Sequence, residues 1–347
     1  MKQNPITSIK DQNRSGTCWA YSTLSYFESE ILKHTGKTYD LSEMFVANKT
    51  YMDRATMAVR MHGDVSFSQG GSAYDVLYAL QHYGIVPEGA MPAPGTLTGD
   101  SLANFGEFFD VMTPYVEAVA KSNAKKISSA WKSGLQGIID SYIGKTPEKF
   151  TYQGKQYTPQ SFCQSLGLNL DDYVTITSYT HHPMWSKFAV EVQDNWRWPL
   201  SYNVPMDDLC KIIDNAINNG YTIAWGGDVT EDGFTRKGLG IAYDVKKVRS
   251  MAGTDADHWF KLSKDEKKEK FDSLGVNAPE VVPTQAMRQE AFDNWETTDD
   301  HGMHIYGIAK DQNGKEYYMV KNSWGEYGDY KGTWYMTKAF VCLLYTS

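Results

Sequence analysis

The sequence predicts an α+β protein with a helical N-terminal part and a β-rich C-terminal part. Three observations carry this. Apolar residues recur at helical spacing through positions 1–90. A strand–turn–strand pattern fills 303–321, with a further strand at 332–336. Between them lies a long stretch, mostly helical in pattern, entered through a segment at 91–100 that holds Pro92, Pro94, Gly95 and Gly99.

Residues 1–17 read as an extended polar entry. Helical spacing begins abruptly at Cys18, with Ala20, Leu24, Phe27 and Ile31 on one face and Gly36 placed to end the helix. Ser42 is positioned to cap a second helix over 43–55. Ser72 and Asp75 have the spacing of a capping box for a third, with Val76, Leu80 and Tyr83 inward and Gly84 after it. Helical pattern resumes over 101–143. Alternation around Gly154-Lys155, from Phe150 to Tyr157, predicts a small hairpin. Leu209, Ile212, Ile213, Ala216 and Ile217 stripe a helix over 206–219, followed by a short strand at 221–225. A charged helix is predicted over 263–273. Asp311-Gln312-Asn313-Gly314 is the turn joining the strands 303–309 and 316–321.

The chain of 347 residues suffices for one large domain or two ordinary ones. A net charge of -8 gives no general attraction for a phosphate backbone, so no nucleic-acid partner is expected. The lysines between Lys264 and Lys270 alternate with Asp and Glu, the pattern of a solvated helix face. No run of about 18 apolar residues is present, so no membrane partner is expected. Cys18, Cys163, Cys210 and Cys342 are scattered and suggest neither a zinc cluster nor a disulfide framework. That usage, and a start without an apolar signal segment, predict a cytoplasmic protein; a periplasmic or secreted one is the alternative if a leader is missing. Residues 342–347 resemble a translated frame of a sequencing-library adapter, so a non-native tail is expected there, with the natural chain continuing past Val341.

The strongest chemical signal is Gln12-Asn-Arg-Ser-Gly16-Thr-Cys18-Trp19 at a helix start. A thiolate, not a thiol, is the good nucleophile. The unpaired amides and dipole at a helix N-terminus favour an anion. Gly16 lets the loop backbone approach a substrate closely. Gln12 offers a side-chain amide which, with the Cys18 N–H, makes a two-donor oxyanion hole. At the other end, Asp299-Asp300-His301-Gly302-Met303-His304 offers two histidines three apart on a strand, facing opposite ways. Gly302 leaves room beside His301, the expected base; His304 is expected to be a packed strand residue. Asn322, in Lys321-Asn322-Ser323-Trp324-Gly325, would accept from the imidazole and fix its tautomer. Trp324 would cover that bond and exclude water. A zinc reading of Asp299, Asp300, His301 and His304 fails on geometry, since adjacent and i+3 strand positions do not converge. The pair His181-His182 is read as a surface or hinge feature. No metal or cofactor is expected.

These segments resemble the papain-like cysteine peptidases. The family's pattern places a glycine where Gly307 stands, and the choice of His301 rests on that as well. Ser15 stands where most secreted members carry a disulfide cysteine, which points to the bleomycin hydrolase and aminopeptidase C branch. Leu41-Ser42-Glu43, Gln69-Gly70-Gly71 and Trp225-Gly226-Gly227-Asp228-Val229 are similar to that branch as well. The resemblance implies a two-lobed fold, a helical lobe plus a β-barrel-like lobe, with a large inserted, mainly helical region. Compact members separate the cysteine from the histidine by about 130–150 residues, whereas here nearly the whole chain intervenes. The expected division is a helical lobe with the nucleophile over 1–90, the insertion plus part of the β lobe over 91–290, a β lobe with His301 and Asn322 over 291–341, and the tail at 342–347.

The resemblance also implies that Gly70 and Gly71, with Trp324, contact a peptide substrate, the glycines through main-chain hydrogen bonds. Peptide hydrolysis through an acyl-enzyme on Cys18 is the implied activity, in an aminopeptidase that assembles as a homo-oligomer, a hexamer in this branch. In the branch a C-terminal arm confers the aminopeptidase specificity, and residues 342–347 do not read as that arm. An endopeptidase lacking the arm and a catalytically silent peptide-binding scaffold are the alternatives.

Overall fold

The computed structural model describes residues 1–95, 101–251 and 261–344. Of the expected boundary segment 91–100, residues 96–100 lie outside these, as do residues 345–347 of the expected tail 342–347. The chain divides into two compact units, one of Pro5–Thr175 with Ala189–Leu200, the other of Met1–Asn4, Ile176–Phe188 and Ser201–Ser347.

In the first, helical unit, α1 spans Cys18–Thr35. Thr17 O takes the amides of Ala20 and Tyr21, and Gly36, at φ 69°, closes the other end on Leu32 O as its position predicted. The expected face of Ala20, Leu24, Phe27 and Ile31 is fully buried, but so is most of the helix, Glu28 included. Glu28 tolerates this because its carboxylate accepts from the Thr7 hydroxyl and the Leu41 N–H and lies 3.6 Å from the Lys10 ammonium. The second helix, α2 (Glu43–Arg60), starts where Ser42 Oγ accepts from Phe45 N at 3.1 Å. It runs beyond the expected end at 55 because Ala58 and Val59 still face the core. Lys10 Nζ reaches Glu43 at 2.8 Å and Leu41 O at 3.0 Å, fastening the entry segment to the start of α2 just ahead of Gln12.

α3 (Ala73–His82) begins as the capping spacing predicted, Ser72 N donating to Asp75 Oδ2 at 2.9 Å. α4 (Gly106–Ala120), α5 (Ala130–Ile143) and α6 (Pro159–Ser165) follow, with the expected hairpin at Phe150–Tyr152 and Lys155–Tyr157 turning at Gly154. These elements share one apolar core with α1 and α2.

The second, β unit is built on a six-stranded mixed sheet, beside a small three-stranded one of Ile176–Thr177, Ser201–Asn203 and Lys187–Phe188. The strands of the larger sheet are β1 (Lys2–Gln3), β2 (Ile223–Gly227), β3 (Leu239–Gly240), β4 (His301–Lys310), β5 (Glu316–Lys321) and β6 (Thr333–Thr337). β4 pairs antiparallel with β5 on one side and with β1 and β2 on the other; β5 pairs antiparallel with β6, and β6 parallel with β3. The β4–β5 turn forms as predicted, Asp311 Oδ1 accepting from Asn313 N and Lys315 N while Gly314 takes φ 82°. Among the described residues, five α-helices accompany the sheet: α7 (Met206–Asn218), α8 (Val245–Met251), α9 (Lys264–Leu274), α10 (Gln285–Asp293) and α11 (Lys338–Leu343). Leu209, Ile213 and Ile217 of α7 and Phe340 and Val341 of α11 fill the core against β4 and β5.

One expectation needs correction. The cysteines suggested no disulfide, yet Cys210 of α7 is bonded to Cys342 of α11. They are 132 positions apart in sequence, so no motif spacing signals the pair. The fold brings them together by docking both helices on the same side of the core, and Cys342 is buried there. Among the described residues Cys18 and Cys163 are in no disulfide.

Candidate active site

In the helical unit, Cys18 is the first residue of α1 and is half-buried. The first turn carries no acidic side chain, and the N-cap Thr17 makes no side-chain capping bond. Its hydroxyl is engaged elsewhere: Ser15 Oγ donates to Gln12 O at 2.6 Å, so Thr17 Oγ1 donates to Ser15 Oγ at 2.5 Å. The positive end of the helix is thereby left to the residue at its tip. Gln12 is buried, and its side-chain amide donates to Ser15 O at 2.8 Å. Ser15 thus closes the Gln12 turn by hydrogen bonds.

The segment Gln69-Gly70-Gly71 is tied to the same helix start. Gln69 Oε1 accepts from Gly16 N at 2.8 Å, and Gln69 O accepts from Trp19 Nε1 at 3.0 Å and from the Tyr51 hydroxyl at 3.2 Å. Neither Gly70 nor Gly71 has positive φ. They are glycines for space: a Cβ on Gly70 would lie 2.0 Å from Asp194 Oδ2, and one on Gly71 2.8 Å from the Trp19 ring. Among the described residues, Gly71 N–H and C=O make no hydrogen bond. The helical unit therefore brings Gln12, Cys18, Gly70 and Gly71 together.

In the β unit, His301 opens β4 and Asn322 follows β5, at the same end of the antiparallel pair. His301 Nε2 lies 2.8 Å from Asn322 Oδ1, both residues being buried. The protonation pattern follows from a third group. Ser323 N–H, an obligatory donor, points at Asn322 Oδ1 at 2.8 Å, so that atom is the amide oxygen. It must accept from His301 as well, which puts the imidazole proton on Nε2 and leaves the lone pair on Nδ1. Burial pushes the His301 pKa down to about 4, the Asn322 bond partly opposing it. Trp324 lies over the ring at a centroid distance of 5.0 Å and is itself held edge-on by Trp334 and Phe234. His304 is fully buried beside Lys321, and burial holds its pKa well below the ordinary value.

Three positions were not singled out by sequence. Asp228 is buried and gathers four donors: Thr230 N and Oγ1 on one oxygen, Thr298 N and Oγ1 on the other. It joins the end of β2 to the loop that delivers His301. The Trp225–Val229 motif contains it, but as a family likeness without a role. In the helical unit, Arg54 and Asp194 flank Gly70, with Arg54 Nη1 3.1 Å from Asp194 Oδ1. They are 140 residues apart and carry no local pattern.

The model of the Peptidase C1-like family matches residues 2–278. Aminopeptidase G of Lactobacillus delbrueckii subsp. lactis is 23% identical over 370 residues, covering 96% of this chain and 78% of that protein. Aminopeptidase E of Lactobacillus helveticus is 23% identical over 95% of this chain and 77% of that protein. Among solved structures, pepw from Lactobacillus rhamnosis superposes with a TM-score of 0.72 at 20% identity, over 99% of this chain and 80% of that one. That superposition bears out the papain-like α+β fold class with its long, mainly helical middle region.

Proposed function

Because this chain belongs to the Peptidase C1-like family and is a cysteine peptidase, we propose that Cys18 is its nucleophile, His301 its general base and acid, and Asn322 the residue that orients the base. The observation that carries this is the tautomer fixed at His301: Nε2–H is spent on Asn322, so Nδ1 is the atom able to take the thiol proton. The thiolate attacks a peptide carbonyl, and its sulfur forms the acyl bond as the C–N bond breaks. Gln12 and the Cys18 amide hold the oxyanion. Nδ1–H protonates the departing amine, then takes a proton from the water that releases the acid.

The names of relatives matched over nearly all of this chain favour an aminopeptidase over an endopeptidase. Product analysis on paired peptides with free and acetylated N-termini tests this. Release of the first residue from the free peptide alone, abolished in Cys18→Ala, is expected. Internal cleavage of both peptides at similar rates overturns the aminopeptidase reading, and full activity in Cys18→Ala overturns the nucleophile.

A further inference from the structure

We propose that Arg54 is a positioning residue for substrate binding: it fixes the peptide plane that aims the Gly71 N–H at an incoming peptide backbone. The inference rests on the reading of Gly70-Gly71 as the segment that pairs with substrate.

Arg54 sits on α2 with its side chain fully buried. A guanidinium in such a place is tolerated only if its charge and its five N–H groups are all answered. Here they are. Nε donates to Ser66 O at 2.9 Å, Nη1 to Gly70 O at 2.6 Å and Asp194 Oδ1 at 3.1 Å, and Nη2 to Ser66 Oγ at 3.2 Å and Gln193 O at 3.4 Å. Three of the five acceptors belong to the stretch 66–70 that leads into Gly71.

The shortest of these bonds has a directional consequence. Gly70 C=O and Gly71 N–H share one planar trans peptide, and the described chain contains no cis bond. The two groups therefore point in opposite directions. Pinning Gly70 O onto a buried guanidinium turns Gly71 N–H away from the protein interior. The preceding plane is fixed in the same manner, with Gln69 O held by Trp19 Nε1 and the Tyr51 hydroxyl. Two consecutive planes are thus set by buried donors, and the next N–H and C=O, those of Gly71, are left unpaired among the described residues. A backbone with unpaired groups held in a fixed orientation is a template for an added strand. Asp194 supplies the counter-charge for Arg54 and fills the space over Gly70, so the plane cannot rotate toward it.

The test uses the full chain with Arg54→Lys and Asp194→Asn, and a peptide substrate with single N-methyl groups placed at each amide in turn. Lysine keeps the charge but lacks the fork that spans Ser66, Gly70 and Asp194. For Arg54→Lys we expect KM to rise at least tenfold with kcat changed less than threefold. The N-methyl penalty seen with the unaltered enzyme should fall toward one, while iodoacetamide alkylates Cys18 at an unchanged rate. Asp194→Asn should raise KM about threefold by the same signature, and it carries the test if Arg54→Lys does not fold. If no N-methyl position matters to the unaltered enzyme, the substrate-strand reading fails. If one position costs tenfold there and equally in both variants, with KM unmoved, the role of Arg54 is overturned. A parallel loss of Cys18 alkylation also overturns it, because the residue then supports the unit as a whole.

Discussion

Replacing Asn322 by alanine removes the acceptor of a 2.8 Å hydrogen bond between side chains exposed by only 6% and 2%. Nothing of bulk solvent replaces it under the Trp324 ring. A buried N–H left unpaired costs about 1–3 kcal/mol. That cost falls on one tautomer, the Nε2–H form that leaves Nδ1 free to act as base. The unproductive Nδ1–H form bears no such cost, so the population shifts toward it. At 1.36 kcal/mol per factor of ten, kcat/KM should fall roughly 5- to 150-fold. Substrate binding does not use this bond, so the loss should lie in kcat. Asn322→Asp provides the contrast. A carboxylate against Nε2–H favours the imidazolium and raises the His301 pKa, which burial, partly opposed by the Asn322 bond, holds near 4. The alkaline limb of the kcat/KM profile, where the imidazolium is lost, should then move to higher pH in the Asp variant and not in the Ala variant. An Ala variant within twofold of the parent, or an Asp variant with an unmoved limb, would refute the orienting role.

Two further predictions concern cysteine reactivity and pH-dependent stability. Burial pushes the Cys163 thiol up to about 11 while its sulfur faces Leu80 O, so iodoacetamide at pH 6 should label Cys18 stoichiometrically and leave Cys163 unlabelled; equal labelling of the two contradicts the site. Burial, with the charges of Asp228, Asp232 and Glu296, raises Glu231 to about 7. The folded state therefore holds a proton that the unfolded chain has released, and this contribution to stability is lost as pH rises from about 4.5 to 7. Glu231→Gln should remove that decline, making the protein about 1–2 kcal/mol more stable relative to its parent at pH 8 than at pH 4.5, after allowance for partial exposure; parallel stability curves for the two proteins would count against it.

What the sequence revealed divides along a physical line. Ser42 and Ser72 marked the helix starts at which they stand, and the break in pattern at Cys18 marked a third that has no side-chain cap, whereas the helices capped by Thr158, Thr284 and Thr337 were not expected. The β4–β5 turn was legible because Asp311 and Gly314 supply its bonds and its positive φ within five residues. The Asn322 segment was legible as a motif whose chemistry needs one amide oxygen and one imidazole. By contrast, the end of α2 was set by Ala58 and Val59 meeting the core, a tertiary fact with no local sign. Arg54 reads in sequence as an ordinary polar position on a helix. Only the fold reveals it as fully buried, because its partner Asp194 arrives from 140 residues away. The Cys210–Cys342 bond was missed for the same reason.

Titration of the His301 ring by NMR, in the native protein and in Cys18→Ala, tests whether the sulfur and the imidazole work as a couple. Burial, partly opposed by the Asn322 bond, pushes the ring's pKa down to about 4. A thiolate partner stabilises the imidazolium and must pull that value up by several units. The native enzyme should therefore titrate far above 4 at this ring, and Cys18→Ala should return it to about 4. The same pKa in both proteins would contradict the account.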